Sequence, residues 1–180
     1  MNDKSKMSQI DKELVESIKT IIFTARKSVS LKVNHELVMT YWRIGREIMY
    51  TENRNNIDNQ TSRQIILNLS KLLTMELGRG FSRSNLFNMR KFYMEYTDVQ
   101  SLTGQLSWTH ICELLIIEDK SKRSFYEKET INSNWSIREM KRQIESSLYE
   151  RLLLSQGAKN KEKVLDLAKK GQEILNAEDI

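Results

Sequence analysis

The sequence contains no proline, six glycines and one cysteine among its 180 residues. Because proline interrupts helices and glycine marks their ends, this scarcity lets helices run long and favours an all-α fold. The single cysteine, Cys112, excludes an intrachain disulfide, and no apolar signal region follows the polar start Met1–Lys6. These features predict a cytoplasmic protein.

The sequence also lacks the patterns that mark membrane spans and common catalytic sites. Charged residues interrupt every apolar run well before the roughly 20 residues that cross a bilayer. No phosphate-binding loop, nucleophile elbow, paired-cysteine site or acidic nuclease motif occurs. His110 and Glu113 lie three residues apart, but a zinc or iron site takes three or four protein ligands. We therefore predict no membrane contact, catalytic residue, metal or cofactor, and a capping or core role for His110.

What the sequence does contain is helical periodicity. Apolar residues recur at three- and four-residue steps in two N-terminal segments, which predicts two long amphipathic helices in near continuity. The segments carry Ile10, Leu14, Ile18, Ile21, Ala25 and Val29, and then Leu37, Val38, Tyr41, Trp42, Ile48 and Met49. The polar run 51–59 predicts a loop, and a third helix is expected from near Gln60 to Leu77. Packing is the expected role of Trp42, Trp108 and Trp135.

Capping residues predict the later helices. Ser107 and Asp119 are placed to start two of them, and Ser136 and Glu139 form the S-x-x-E capping box. From that box, apolar residues with a period near 3.6 run to Leu152. We assign residues 1–155 to one helical domain, and residues 156–180 to a charged terminal helix or linker.

The segment Gly78–Tyr93 is the main candidate site. Its glycines can take positive φ and end the preceding helix, and Ser82 can cap the next one, so the segment resembles a helix-turn-helix. All its side chains that carry charge at neutral pH are basic, which suits phosphate, and two amides could reach base edges. The predicted contacts are Arg79, Arg83, Asn85, Asn88, Arg90 and Lys91. The alternative is an ordinary solvated face above a core stripe that includes Leu86 and Phe92.

A second basic cluster, Arg138, Lys141 and Arg142, is a weaker candidate for nucleic-acid contact. Its helix also carries Glu139 and Glu145, and pairs one turn apart, such as Lys141 with Glu145, neutralise charge locally. The whole chain has 29 basic and 24 acidic residues, a net charge of +5, which favours an anionic partner only mildly.

Four stretches resemble the N-terminal domain of YhcG-like proteins, a bacterial family of proposed PD-(D/E)xK nucleases. They are Tyr41–Gly45, Gly78–Tyr93, Gln105–His110 and Asn134–Glu139, and the likeness runs from about Asn34 to Ile180. The resemblance implies an all-helical domain of unknown function that precedes a separate nuclease domain. Residues 171–180 resemble the junction before that nuclease, so the resemblance implies that catalysis lies outside this chain.

Two functions follow from these observations. The first is a non-catalytic module that binds nucleic acid, with duplex DNA as the first choice, and directs an attached nuclease. The alternative is a protein-interaction or oligomerisation domain, a homo-oligomer formed through the first two helices. DNA binding predicts exposed cations on one face, whereas self-association predicts an exposed apolar patch between Ile10 and Met49.

Overall fold

The structure, a computed structural model, describes residues 3–97, 99, 102 and 104–155, with side chains from Asp11 to Leu154. This part of the chain forms seven α-helices and no β-strand, which confirms the all-α prediction. The helices are α1 (Asp3–Arg54), α2 (Asn59–Leu77), α3 (Arg83–Glu95), α4 (Trp108–Ile116), α5 (Lys120–Asn132), α6 (Ile137–Glu145) and α7 (Leu148–Ser155). The terminal helix or linker predicted for residues 156–180 lies outside the described residues.

The two predicted N-terminal helices form one continuous helix of 52 residues, α1. No proline or glycine separates the two apolar segments, so nothing in the sequence interrupts the hydrogen-bond ladder between them. The helix also extends to Arg54, so the prediction of a loop from Thr51 was wrong at its start. Glu52 is buried there and accepts a hydrogen bond from Ser62, which holds the last turn of α1 against α2.

The predicted caps are confirmed. Gly78 ends α2 with φ 82°, and the side chains of Ser82, Asp119 and Ser136 accept amide hydrogen bonds at the starts of α3, α5 and α6. His110 and Ser107 form a capping box at the start of α4, which confirms the capping role of that histidine. Burial lowers the pKa of His110.

One helix prediction was wrong near the C-terminal end of the described chain. The period that continues to Leu152 suggested one helix, but α6 ends at Glu145 and α7 begins at Leu148. Ser147 takes a positive φ of 54°, and Ser146 hydrogen-bonds back to the carbonyl of Gln143. These serines compete with the helical ladder and turn the chain between the two helices.

Helix α3 joins the two parts of the core. Leu86 and Met89 pack in a cluster with Ile48 of α1 and Ile66 of α2. Phe92, one turn further on, packs in the larger cluster that α4 to α7 complete. The three tryptophans are partly buried and pack against these clusters, which confirms their predicted role.

The backbones of α1 and α3 cross in direct contact at Gly45. A Cβ atom at this buried position would lie 2.0 Å from the carbonyl oxygen of Met89 and 3.1 Å from Cβ of Tyr93. About one turn earlier in α1, Tyr41 contacts Trp108 and Trp42 contacts Tyr93 in tilted ring pairs, with ring centroids 4.7 and 5.0 Å apart. Only glycine permits so close a crossing.

We predict that Gly45→Ala destabilises the domain by about 1–3 kcal/mol or more, because the new methyl group meets fixed backbone and forces α3 away from α1. This loss outweighs the gain of up to about 1 kcal/mol that alanine brings to a helix interior. Urea denaturation would measure the difference. The exposed Thr40→Ala in the same helix is the control, and equal stability of the two variants would contradict the crossing.

Candidate nucleic-acid interface

The turn between α2 and α3 presents two basic side chains on a defined backbone. Gly78 and Gly80 have φ of 82° and 116°, values that other residues rarely adopt. A Cβ atom at either glycine would contact nothing, so the requirement for glycine is conformational. The side chain of Ser82 then accepts a hydrogen bond from the amide of Asn85, 3.3 Å away, and caps the start of α3.

Arg79 and Arg83 are exposed at this turn. The guanidinium of Arg83 lies 5.6 Å from the ring centroid of Phe87, a cation–π contact that orients it over the first turn of α3. Among the described residues, no carboxylate lies within ion-pairing distance of either arginine. Both charges therefore face solvent.

The two amides predicted to reach bases make contacts inside the protein. Asn85 donates to the carbonyl of Gly80 and accepts a 2.7 Å hydrogen bond from Nε1 of Trp108, so it braces the turn against α4. Asn88 donates to Sγ of Cys112, 3.4 Å away. Both asparagines are partly buried, and the contacts place them between α3 and α4.

The two remaining cations of α3 also have partners within the fold. Arg90 donates to the buried carboxylate of Glu52 through Nε and Nη2, each 2.7 Å from Oε2. Lys91 donates to the carbonyl oxygen of Leu115, 2.6 Å away, at the C-terminal end of α4. That carbonyl carries part of the negative end of the helix dipole, so the ammonium is well placed there.

Of the six residues predicted in this segment, the structure leaves Arg79 and Arg83 exposed at the turn and gives the other four intramolecular partners. Arg90 and Lys91 lie between the buried Met89 and Phe92, a position in the helical period that signals a part-buried face. Their partners lie 38 and 24 residues away in the chain, so periodicity alone does not identify them.

The second cluster lies on α6, where Arg138, Lys141 and Arg142 are all exposed. Lys141 is 2.7 Å from Oε1 of Glu113, and this hydrogen bond raises the pKa of the lysine. Glu139 accepts hydrogen bonds from Ser136 in the capping box, and these bonds lower the pKa of its carboxylate. Helix α4 packs against α3 and α6, the two helices that carry the basic clusters.

The feature expected of the alternative function is present as well. Every residue from Asp11 to Val33 of α1 is exposed, including a series of isoleucines, leucines and valines. Val38, Gly45 and Ile48, further along the same helix, are buried in the domain. Residues 11–33 thus carry most of the exposed apolar surface of α1, with Leu37 and Tyr50 exposed further along the helix.

Two further features of the described residues bear on the kind of site. No group of three or more histidine, cysteine, aspartate or glutamate side chains is arranged to hold a metal ion in this part of the chain. None of its helices combines the length and apolar character of a membrane span.

Comparison with known proteins shows which family and which relative this chain resembles. The family model described as DUF1016 N-terminal domain matches residues 17–151. The chain is 32% identical over 167 residues to a protein of Escherichia coli (strain K12) named "Putative nuclease YhcG". The match covers 75% of this chain and 44% of that relative, so the chain spans less than half of its length. No solved structure matches the chain.

We predict unequal effects on stability for two arginines of α3. Arg90→Ala leaves the buried Glu52 carboxylate without its ionic partner and should cost roughly 3 kcal/mol. Arg83→Ala removes an exposed charge and should change stability by no more than about 0.5 kcal/mol. Thermal and urea denaturation of the two variants would measure this. A neutral Arg90→Ala would contradict a structural role for the ion pair.

Proposed function

This chain belongs to the DUF1016 N-terminal domain family, and on that premise we propose that it is a non-catalytic helical module that binds nucleic acid, duplex DNA in the first place. In a longer protein of this family it would hold an attached nuclease near its substrate. The relative named as a nuclease supports the connection, since this chain corresponds to less than half of it.

The observation that carries the proposal is the exposure of Arg79 and Arg83 at the turn. Gly80 takes a positive φ between them, and Asn85 ties the turn to Trp108. The fork of donors on each guanidinium suits phosphate oxygens. The turn therefore suits contact with a nucleic-acid backbone.

The proposed contact is with phosphates more than with bases. Asn85 and Asn88 already hydrogen-bond within the protein, so neither amide is free to read a base edge without breaking a contact. Arg138 and Arg142 of α6 supply a second set of exposed cations for the same backbone. Phosphate contacts position a protein on a duplex but carry no sequence information directly, so we propose weak sequence preference.

We predict that Arg79→Ala combined with Arg83→Ala weakens binding to all duplex sequences alike. Each cation that releases one counterion contributes about −0.9 to the slope of log affinity against log salt, so the double variant should flatten the slope by about two units. Fluorescence anisotropy with labelled duplexes at several salt concentrations would measure this.

The matched control is Arg63→Ala, which removes an exposed cation near the other end of α2, about 20 Å from the turn. It should leave the affinity and the slope nearly unchanged. If the double variant and the control bind with the same affinity and the same slope, the turn is not the contact.

We also predict that this chain cleaves no nucleic acid, because it offers no acidic and lysine motif of the kind that holds nuclease metal ions. Supercoiled plasmid incubated with the protein and magnesium or manganese should stay intact on an agarose gel. Cleavage that follows the protein through several columns, and that a point mutation in the chain abolishes, would refute the non-catalytic assignment.

The second candidate, an interaction domain without nucleic-acid contact, is favoured by the exposed N-terminal half of α1. The two functions are compatible, because the exposed apolar residues and the basic turn belong to different segments of the chain. Loss of binding in the Arg79 and Arg83 variant would support the first function, whatever the oligomeric state.

A further inference from the structure

Residues 11–33 of α1, here called the arm, carry an apolar stripe with no partner among the described residues. The arm stripe comprises Leu14, Val15, Ile18, Ile21, Ile22, Ala25, Val29 and Val33. Its isoleucine, leucine and valine residues have between 43% and 65% of their surface exposed. The arm makes no part of the core, since both core clusters draw on α1 only from Val38 onward.

The arm stripe is not a continuation of the face by which α1 packs into the domain. At about 100° per residue, the stripe occupies an arc of roughly 120° on the helix surface, and Asp11 and Lys32, at the two ends of the arm, lie within the same arc. Val38, Gly45, Ile48 and Glu52, which are buried against the rest of the domain, lie roughly 160° from its centre. Taken over the whole of α1, the apolar residues accordingly show no preferred side.

Helix α1 therefore has two apolar faces, one packed into the domain and one on the arm that could bind a second partner. An arc this wide is typical of a helix face that packs against protein. The other side of the arm is mostly polar, with Lys19 and Glu16 paired at 2.6 Å. The family model begins at residue 17, so most of the arm belongs to the shared domain.

We propose that the arm stripe packs against the same stripe of a second copy of this chain. The stripe is long enough for this partner, because residues 14 to 33 span about 28 Å of helix. Eight apolar side chains of roughly 60–120 Å² each offer on the order of 700 Å² per copy. A standard specific interface buries about 800 Å² per partner.

Sedimentation equilibrium of the whole chain at micromolar concentrations, without nucleic acid, tests the partner. We expect the mass of more than one copy, and we expect Ile18→Glu combined with Ile21→Glu to weaken association by roughly 100-fold or more, since it places charge within the interface. Phe23→Glu, on the polar side of the arm and 67% exposed, is the matched control and should associate like the parent. Circular dichroism would show that all variants stay helical.

A monomeric parent chain, or association that the Ile18 and Ile21 variant retains, would overturn the proposal and leave the stripe to another partner.

Discussion

The backbone contact between α1 and α3 at Gly45 is the constraint on which the remaining structure depends. It brings α3 close enough to α1 for Leu86 and Met89 to close one core cluster while Phe92 enters the other. The pair of Arg90 and Glu52 then fixes how α3 is rotated against α1. Since the turn at Arg79 and Arg83 leads directly into α3, its position follows from this crossing.

The sequence predicted what is decided locally. Helix starts at Ser82, Ser107 and Ser136 were found because a cap acts on amides within three residues of it. The partners of Arg90 and Lys91 were not found, because those contacts join separate helices and depend on how the helices pack. The same limit applies to the end of α1. The lack of a breaker between its two segments is visible in the sequence, but its extension to Arg54 involves the contact of Glu52 with Ser62, which no local pattern reveals.

The stretches that carry the family resemblance turn out to hold the fold together. Tyr41–Gly45 forms the crossing with α3, Gln105–His110 starts α4, and Asn134–Glu139 starts α6. Within Gly78–Tyr93, the partly buried polar residues brace neighbouring helices, whereas Arg79 and Arg83 have no such part in the packing. A resemblance of this kind therefore identifies the fold more readily than the function. Arg79 and Arg83 are the exposed cations within it that do not stabilise the fold.

The continuity of α1 has a mechanical consequence. A helix without a proline, or a glycine before position 45, has no hinge along the arm, so it resists bending and twisting as a single rod. A rotation of its N-terminal half would be transmitted along the helix to Gly45, where the backbones of α1 and α3 touch. A partner that binds the arm would therefore set the orientation of the basic turn relative to that partner.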